Sequence, residues 1–470
     1  MKSKIFVVCT LLFILLCSIS VVSAQDINND TRITYDTDVG DVSTTQNVLS
    51  EHDETSLTNN NEIDDVLSAG SSQGSFSDLQ TTINGARAGS TVSLDKDYKS
   101  TQSSAIPIDK SLTIDGKGHT LDCDGKCGAF ESKSGYITLK NLIIKNGDKS
   151  KGGAIFISGS ARYTLINCTF INNAKDGAAI YNNAEGGSLS ITSSVFDSNT
   201  GYGAIFSKGE VYVDDSRFTS NVAKAGGAIY CEKSVYIGSS SFSSNKATGY
   251  IGAQDEGGAI YAKGQIFAEK CTFTDNTADL GGAIYGRNNV FIDNCTFKGN
   301  KAKHGGAIDK TNDGYVVVCH STFSKNEATG DGGAIDAESP ITIENSLFND
   351  NSANGKGGAI YSDYISFEGN SSFINNHANG HGGAIYTSKI AKNVKDLNFT
   401  SNYASSDYGG AIYINNKCGD VNFNNCIFTD NYAYAGDGGA IYSDSGSTNL
   451  NLYNCVFTGN RASGGAAARY

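Results

Sequence analysis

Tryptophan is absent from this 470-residue chain, proline occurs twice and methionine once. Glycine, by contrast, occurs 55 times. That balance suits tight, regular turns better than long helices. Basic residues are outnumbered, 36 Lys and Arg against 49 Asp and Glu, and no stretch concentrates them. A nucleic-acid partner is excluded on that ground. After the N-terminus no second long apolar run follows, so the mature chain is not expected to cross a membrane. The Leu-x-x-Leu-x-Leu pattern is missing too, which excludes a leucine-rich solenoid.

What is present begins with an export signal. Lys2 and Lys4 precede an apolar run from Ile5 to Val22, and Val22-Ser23-Ala24 is a small-residue cleavage site. The alternative is an uncleaved anchor helix. No small residue precedes Cys9 or Cys17, so a lipoprotein signal is not expected. Residues 25–74 are polar and acidic. The stretch 25–75 carries eleven acids and one arginine, ten of the chain's thirteen net negative charges. It is too poor in large apolar residues to order itself and reads as a spacer or a processed pro-segment.

From residue 151 the chain repeats itself. Ala154, Ala179, Ala204, Ala228, Ala259, Ala283, Ala307, Ala334, Ala359, Ala384, Ala411, Ala440 and Ala466 each follow glycine, usually paired, or Gly-Ala. A second word, Phe-x-x-Asn, keeps pace twelve times, from Phe170/Asn173 to Phe457/Asn460. Between these words apolar and polar residues alternate, as in Val290, Ile292, Cys295 and Phe297, which is the period of a strand. The steps of 24 to 31 residues are too short for a propeller blade but fit one coil of a parallel β-helix. In that fold identical positions stack about 4.8 Å apart. Ile, Val, Cys and Phe then form internal ladders. The repeat Asn is expected to end a strand in a left-handed conformation and to pair with its copies in neighbouring coils. The glycines allow a bend closed to other residues.

Residues 75–150 differ. Phe76, Leu79 and Ile83 lie on one face of a short helix, followed by irregular strands containing Val92, Leu94, Ile106, Ile108, Leu112 and Ile114. This is expected to be the N-terminal cap that covers the first open edge of the solenoid. The sequence ends inside a fresh repeat, GGAAARY. Either the chain is part of a longer protein or a partner covers that edge.

The pairing of Gly-Gly-Ala-Ile with Phe-x-x-Asn resembles the polymorphic outer membrane protein repeat. The signal, the acidic spacer and the entry stretch GSFSDLQTTINGARAGSTVSLDKDY…LTIDGKGHTLD are similar to secreted adhesin-like proteins of methanogenic archaea. The resemblance implies an all-β, single-stranded right-handed parallel β-helix displayed at the cell surface. No C-terminal barrel or wall-binding repeat accompanies it.

The residue after each repeat Ile should point outward. These residues are Tyr181, Phe206, Tyr230, Tyr261, Tyr285, Asp309, Asp336, Tyr361, Tyr386, Tyr413 and Tyr442. Stacked rings with polar tips could bind sugars, or could simply stabilise their sheet face. Asp309 and Asp336 break the ladder in adjacent coils, with backbones about 5 Å apart. Arg287, His304 and Lys310 could lie nearby. Paired carboxylates serve glycosidases, or hold a cation, or are solvated. On an open face, screened by water, they are expected to be a weak cation site at most and not a catalytic dyad. His377-x-x-x-His381 has helical metal-ligand spacing but lies in a Gly/Asn loop, and is expected in solvent. Cys168, Cys271, Cys295, Cys426 and Cys455 precede the repeat Phe by two and are expected as inward, free thiols. Cys123 and Cys127 are candidates for a bridge. Sequons occur at Asn29, Asn167, Asn294, Asn370 and Asn398.

The function expected is that of a secreted, surface-displayed, non-catalytic binding protein without cofactors. Its partners would be glycans or proteins of other cells. The alternatives are a polysaccharide lyase or hydrolase on the same fold, and a structural envelope protein.

Overall fold

A computed structural model describes residues 73–148, 152–174, 177–249, 255–311, 314–416, 418–444 and 448–464, with the backbone of 468–469. The export signal, nearly all of the acidic segment, Ala466 and residues 250–254, in the longest insertion between the repeats, lie outside these residues.

The chain winds as an all-β right-handed parallel solenoid. Every named strand pairs with its counterpart one coil away, and all those pairings are parallel. Three sheets run along it. Sixteen strands centred on the repeat Phe form one. Twenty-five strands form the second, which takes in both the Ile strand and the strand after it, as in Ile284–Gly286 and Val290–Asp293. Short pairs such as Lys301–Ala302 build the third, in stretches of two and seven strands. A three-stranded sheet joins Asn393–Lys395, Gly419–Asn424 and Thr448–Tyr453.

Register explains the repeated words. Phe273, Phe297 and Phe323 pair in line, fully buried, with centroids 4.6 Å apart and planes nearly parallel. The repeat Asn is buried as well. Asn300 Nδ2 donates to Asn326 Oδ1 at 3.0 Å and to Phe273 O at 3.0 Å, while its Oδ1 accepts from the backbone N and Nδ2 of Asn276. Both donor hydrogens and both lone pairs are used, so a polar side chain sits in the core without an orphaned atom.

The repeat Asn is not itself left-handed. That conformation belongs to the residue before it, for example Asp275 (φ 54°), Lys325 (φ 55°) and Asp350 (φ 55°). The Asn side chain must turn inward to join its ladder, so the corner falls one residue earlier. A second left-handed corner precedes the Phe strand, at Asn167, Asn294 and Asn345 among others.

The paired glycines have different duties. Gly305 takes φ +57°. A Cβ on Gly306 would meet the carbonyl oxygen of Gly333 in the next coil at 2.1 Å. One glycine turns the chain, and the other lets two coils approach.

The start is capped as its composition implies. Helix α1, Phe76–Gly85, buries Phe76, Leu79 and Ile83. Ser75 and Asp78 close its N-terminus reciprocally in a capping box.

Cys168, Cys271, Cys295 and Cys426 are buried free thiols, and Cys455 is half-buried. The Ser residues that replace them in other coils accept a hydrogen bond from the preceding coil, as Ser321 Oγ does from Cys295 N at 3.0 Å. The bridge expected between Cys123 and Cys127 is not formed. Both are buried thiols hydrogen-bonded to each other, and Cys127 Sγ donates to Ser100 Oγ at 3.0 Å.

Candidate functional site

The outward row beside the repeat Ile is in register from coil to coil, Tyr285 beside Asp309, Asp309 beside Asp336, Asp336 beside Tyr361. It is far less open than alternation implies. Tyr261, Tyr285, Tyr386 and Tyr413 are buried; Tyr230, Tyr361 and Tyr442 are half-buried. The rings lie on one another, with centroids 4.7 Å apart for Tyr230–Tyr261, 5.0 Å for Tyr361–Tyr386 and 5.2 Å for Tyr386–Tyr413. Ring faces engaged in this way are not free to stack on a sugar.

A second row covers the first. In several coils the residue immediately before the paired glycines leans onto the outward residue of the next coil. Glu256 bonds to Tyr285; Leu280 departs from this pattern and packs with Tyr285 of its own coil and Tyr261 of the preceding one. Lys356 Nζ lies 4.7 Å from the Tyr386 ring centroid. His381 stacks on Tyr413 at 4.3 Å, and Tyr408 lies 4.5 Å from Tyr442. This covering row was not anticipated. Its only sequence signal is a fixed place, one residue ahead of the glycines, filled by unlike side chains.

His381 is therefore half-buried rather than in solvent, with burial lowering its pKa. His377 is half-buried on a different sheet, against Ser405 Oγ at 2.5 Å and the Tyr403 ring at 5.2 Å. The two do not form a metal pair. Among the described residues no group of three or more His, Cys, Asp or Glu is placed to hold an ion.

Asp309 and Asp336 correct the expectation of solvated acids. They are only 1% and 6% exposed. The covering row and the flanking rings shut out water. The Oδ1 atoms of both are buried without a hydrogen-bond partner. His304, in the covering row, places Nδ1 3.4 Å from Asp336 Oδ2. Burial pushes Asp336 up to about 6 against the pull of His304, and pushes Asp309 well above the carboxylate range, with Asp336 adding to it. The bond to Asp336 raises His304 in turn. Of the other two neighbours expected here, Arg287 turns instead to Glu256 at 3.8 Å. Lys310 is fully buried on the inward side, with Nζ donating to Thr311 O at 2.9 Å.

Residues 102–242 and 234–364 match the family described as the right handed beta helix region. The chain belongs to the right-handed β-helix family. Within this β-helix, residues 364–388 and 425–444 also match the Chlamydia polymorphic membrane protein repeat. No helix among the described residues is long and apolar enough to cross a membrane. Two solved alginate lyases are similar to the chain. One, AlyF-OU02 in complex with G6, is 13% identical, with 81% of this chain and 86% of that chain covered and a TM-score of 0.35. The other, a PL6 alginate lyase in complex with a trisaccharide, is 12% identical, with 83% of each chain covered and a TM-score of 0.33. Likenesses this loose bear on neither activity nor substrate. No curated protein matches the chain.

Three of the five sequons find a structural origin in the repeat, whereas Asn398 lies half-buried within the strand Leu397–Thr400. Asn167, Asn294 and Asn370 occupy the exposed corner before the Phe strand. There a corner residue, an inward Cys or Ser, and an outward Thr or Ser follow in order. The coil itself writes N-x-S/T.

Proposed function

We infer that the chain is a secreted, adhesin-like protein of the cell surface, non-catalytic, whose β-helix presents side chains for contact with glycans or proteins of other cells. The observation that carries this is the division of labour in each coil. Inward positions hold to Phe, Ile, Ala and Asn, while the covering row runs through Glu256, Leu280, His304, Asp331, Lys356, His381, Tyr408 and Asp437. A constant interior with a changing surface suits a display scaffold. The surface-protein repeats at 364–388 and 425–444 support the same reading.

The tyrosine row contributes through hydroxyls and ring edges, at Tyr230, Tyr361 and Tyr442, rather than through ring faces. The burial of Asp309 and Asp336 supports the non-catalytic part. A carboxyl that touches a polymer must reach it, and these two lie beneath the covering row.

The test is glycan-array binding by the full mature chain, with the Tyr230→Ala, Tyr361→Ala and Tyr442→Ala variants alongside. Retained glycans, with signal reduced in at least one variant, are expected. Release of reducing or unsaturated ends from pectins or other acidic polysaccharides, abolished by Asp309→Asn with Asp336→Asn, would instead establish an enzyme.

A further inference from the structure

We propose that Asp309 and Asp336 share a proton in the folded chain, and that the two coils carrying them form a proton-dependent joint in the solenoid. The geometry leaves little else. The strands pair Asp309 directly with Asp336, which sets their backbones about 4.8 Å apart. Both side chains leave the same face of the sheet, both are buried, and neither Oδ1 has a donor. Two bare carboxylates in that position would face each other without water. One proton between them removes a charge and supplies the missing donor, because a protonated carboxyl donates where an ionised one only accepts.

The surroundings favour holding that proton. Asp309 faces Asp336, Glu338, Glu256 and the Tyr285 ring, and Lys310, next to it in the chain but on the inward side, is the one cation acting on it. Asp336 faces His304, Asp331, Glu338 and, from the next coil, Tyr361. Carboxylates outnumber cations on both sides. His304 Nδ1 lies between Asp336 Oδ2 at 3.4 Å and the Asp331 amide nitrogen at 3.5 Å. With a proton it donates to Asp336; without one it accepts from Asp331. It cannot do both at once.

The sign follows from the direction of the shifts. Both carboxyls lie above their ordinary 3.8, Asp336 at about 6, and His304 lies above 6.5. Groups raised in this way stabilise the fold fully below their unfolded values. That stabilisation is lost as pH climbs through the folded ones. The joint is tight in acid and loosens as pH rises, and the proton leaves to solvent.

The experiment is infrared spectroscopy of the full chain with ¹³C-carboxyl-labelled aspartate at neutral pH. A carboxylic-acid C=O band is expected in the wild type and its loss in Asp309→Asn. Should that variant fail to fold, Asp309→Tyr restores the residue that fills this row on either side of the pair, at Tyr285 and Tyr361, and the same loss is expected. Absence of the band in the wild type would overturn the proposal. So would its persistence in a folded variant, or its disappearance from the wild type on adding calcium chloride alone, which would assign the two oxygens to a cation. As a second readout, the melting temperature of the wild type should fall, relative to Asp309→Tyr, between mildly acid and mildly alkaline pH. A difference that does not change with pH would count against the joint.

Discussion

A single asparagine in this molecule has as many duties as a whole turn elsewhere. Asn300 closes bonds to Asn276, Asn326 and Phe273 at once. Replacing it by alanine strands several buried polar groups in two neighbouring coils. Asn300→Ala should cost about 3 kcal/mol or more, since each orphaned group costs roughly 1–3 kcal/mol. Urea unfolding followed by circular dichroism measures it; a midpoint unchanged from wild type would mean that the ladder contributes nothing net. Phe297→Asp tests the neighbouring ladder. It places a charge between two stacked rings, with no partner, and should destabilise by several kcal/mol. Unaltered melting would contradict the inward placement of the Phe row.

At the scale of the element, the coil is closed by the approach of backbone to backbone at the second glycine. Gly306→Ala puts a methyl group 2.1 Å from the Gly333 carbonyl oxygen. That atom is backbone and cannot swing aside, so the two coils must part. Limited proteolysis should show new cleavage near 300–335 in the variant and none there in the wild type; equal resistance would show that the contact can relax. Most of the coil was legible from the chain because its causes are periodic. Ile, Phe and Asn recur at the same phase, and α1 carries its own capping residues. What could not be read lay across coils. Alternation places Asp309 on the outer face, but cannot say that His304, one residue ahead of Gly305, helps to roof Asp336 in the coil beyond. The left-handed corner was placed one residue late for a similar reason. The Asn carries the visible repeat, whereas its predecessor, which varies between Asp, Ser, Asn, Lys and Gly, makes the turn.

The whole molecule should respond to acid in opposite senses along its length. In the first coils Asp115 is buried. Burial pushes its pKa up, but Asn141, Lys117 at 3.1 Å and Lys140 at 3.2 Å outweigh that and hold it well below the ordinary value. Asp124, bonded to Lys126 and Lys99, is held at about 2. Depressed carboxyls stabilise above their unfolded value of 3.8, and that stabilisation is lost as pH falls through the folded one. These coils should loosen in acid, where the coils around Asp309 are tightest. Hydrogen exchange read by mass spectrometry, corrected for intrinsic rates, should show residues 95–145 losing protection at about pH 3 and residues 304–338 losing it above about pH 7. A uniform response along the chain would refute this polarity.

The asparagine ladder has one more consequence, for inheritance. Each Asn offers the same atoms upward as it receives from below, so a coil has no means of telling which neighbour it is stacked on. A gene encoding such a chain can gain or lose whole repeats by unequal recombination, and the product still closes every bond of that ladder. Length is then a variable that selection can adjust separately from the surface. Natural relatives should differ by integral numbers of coils far more readily than by fractions of one.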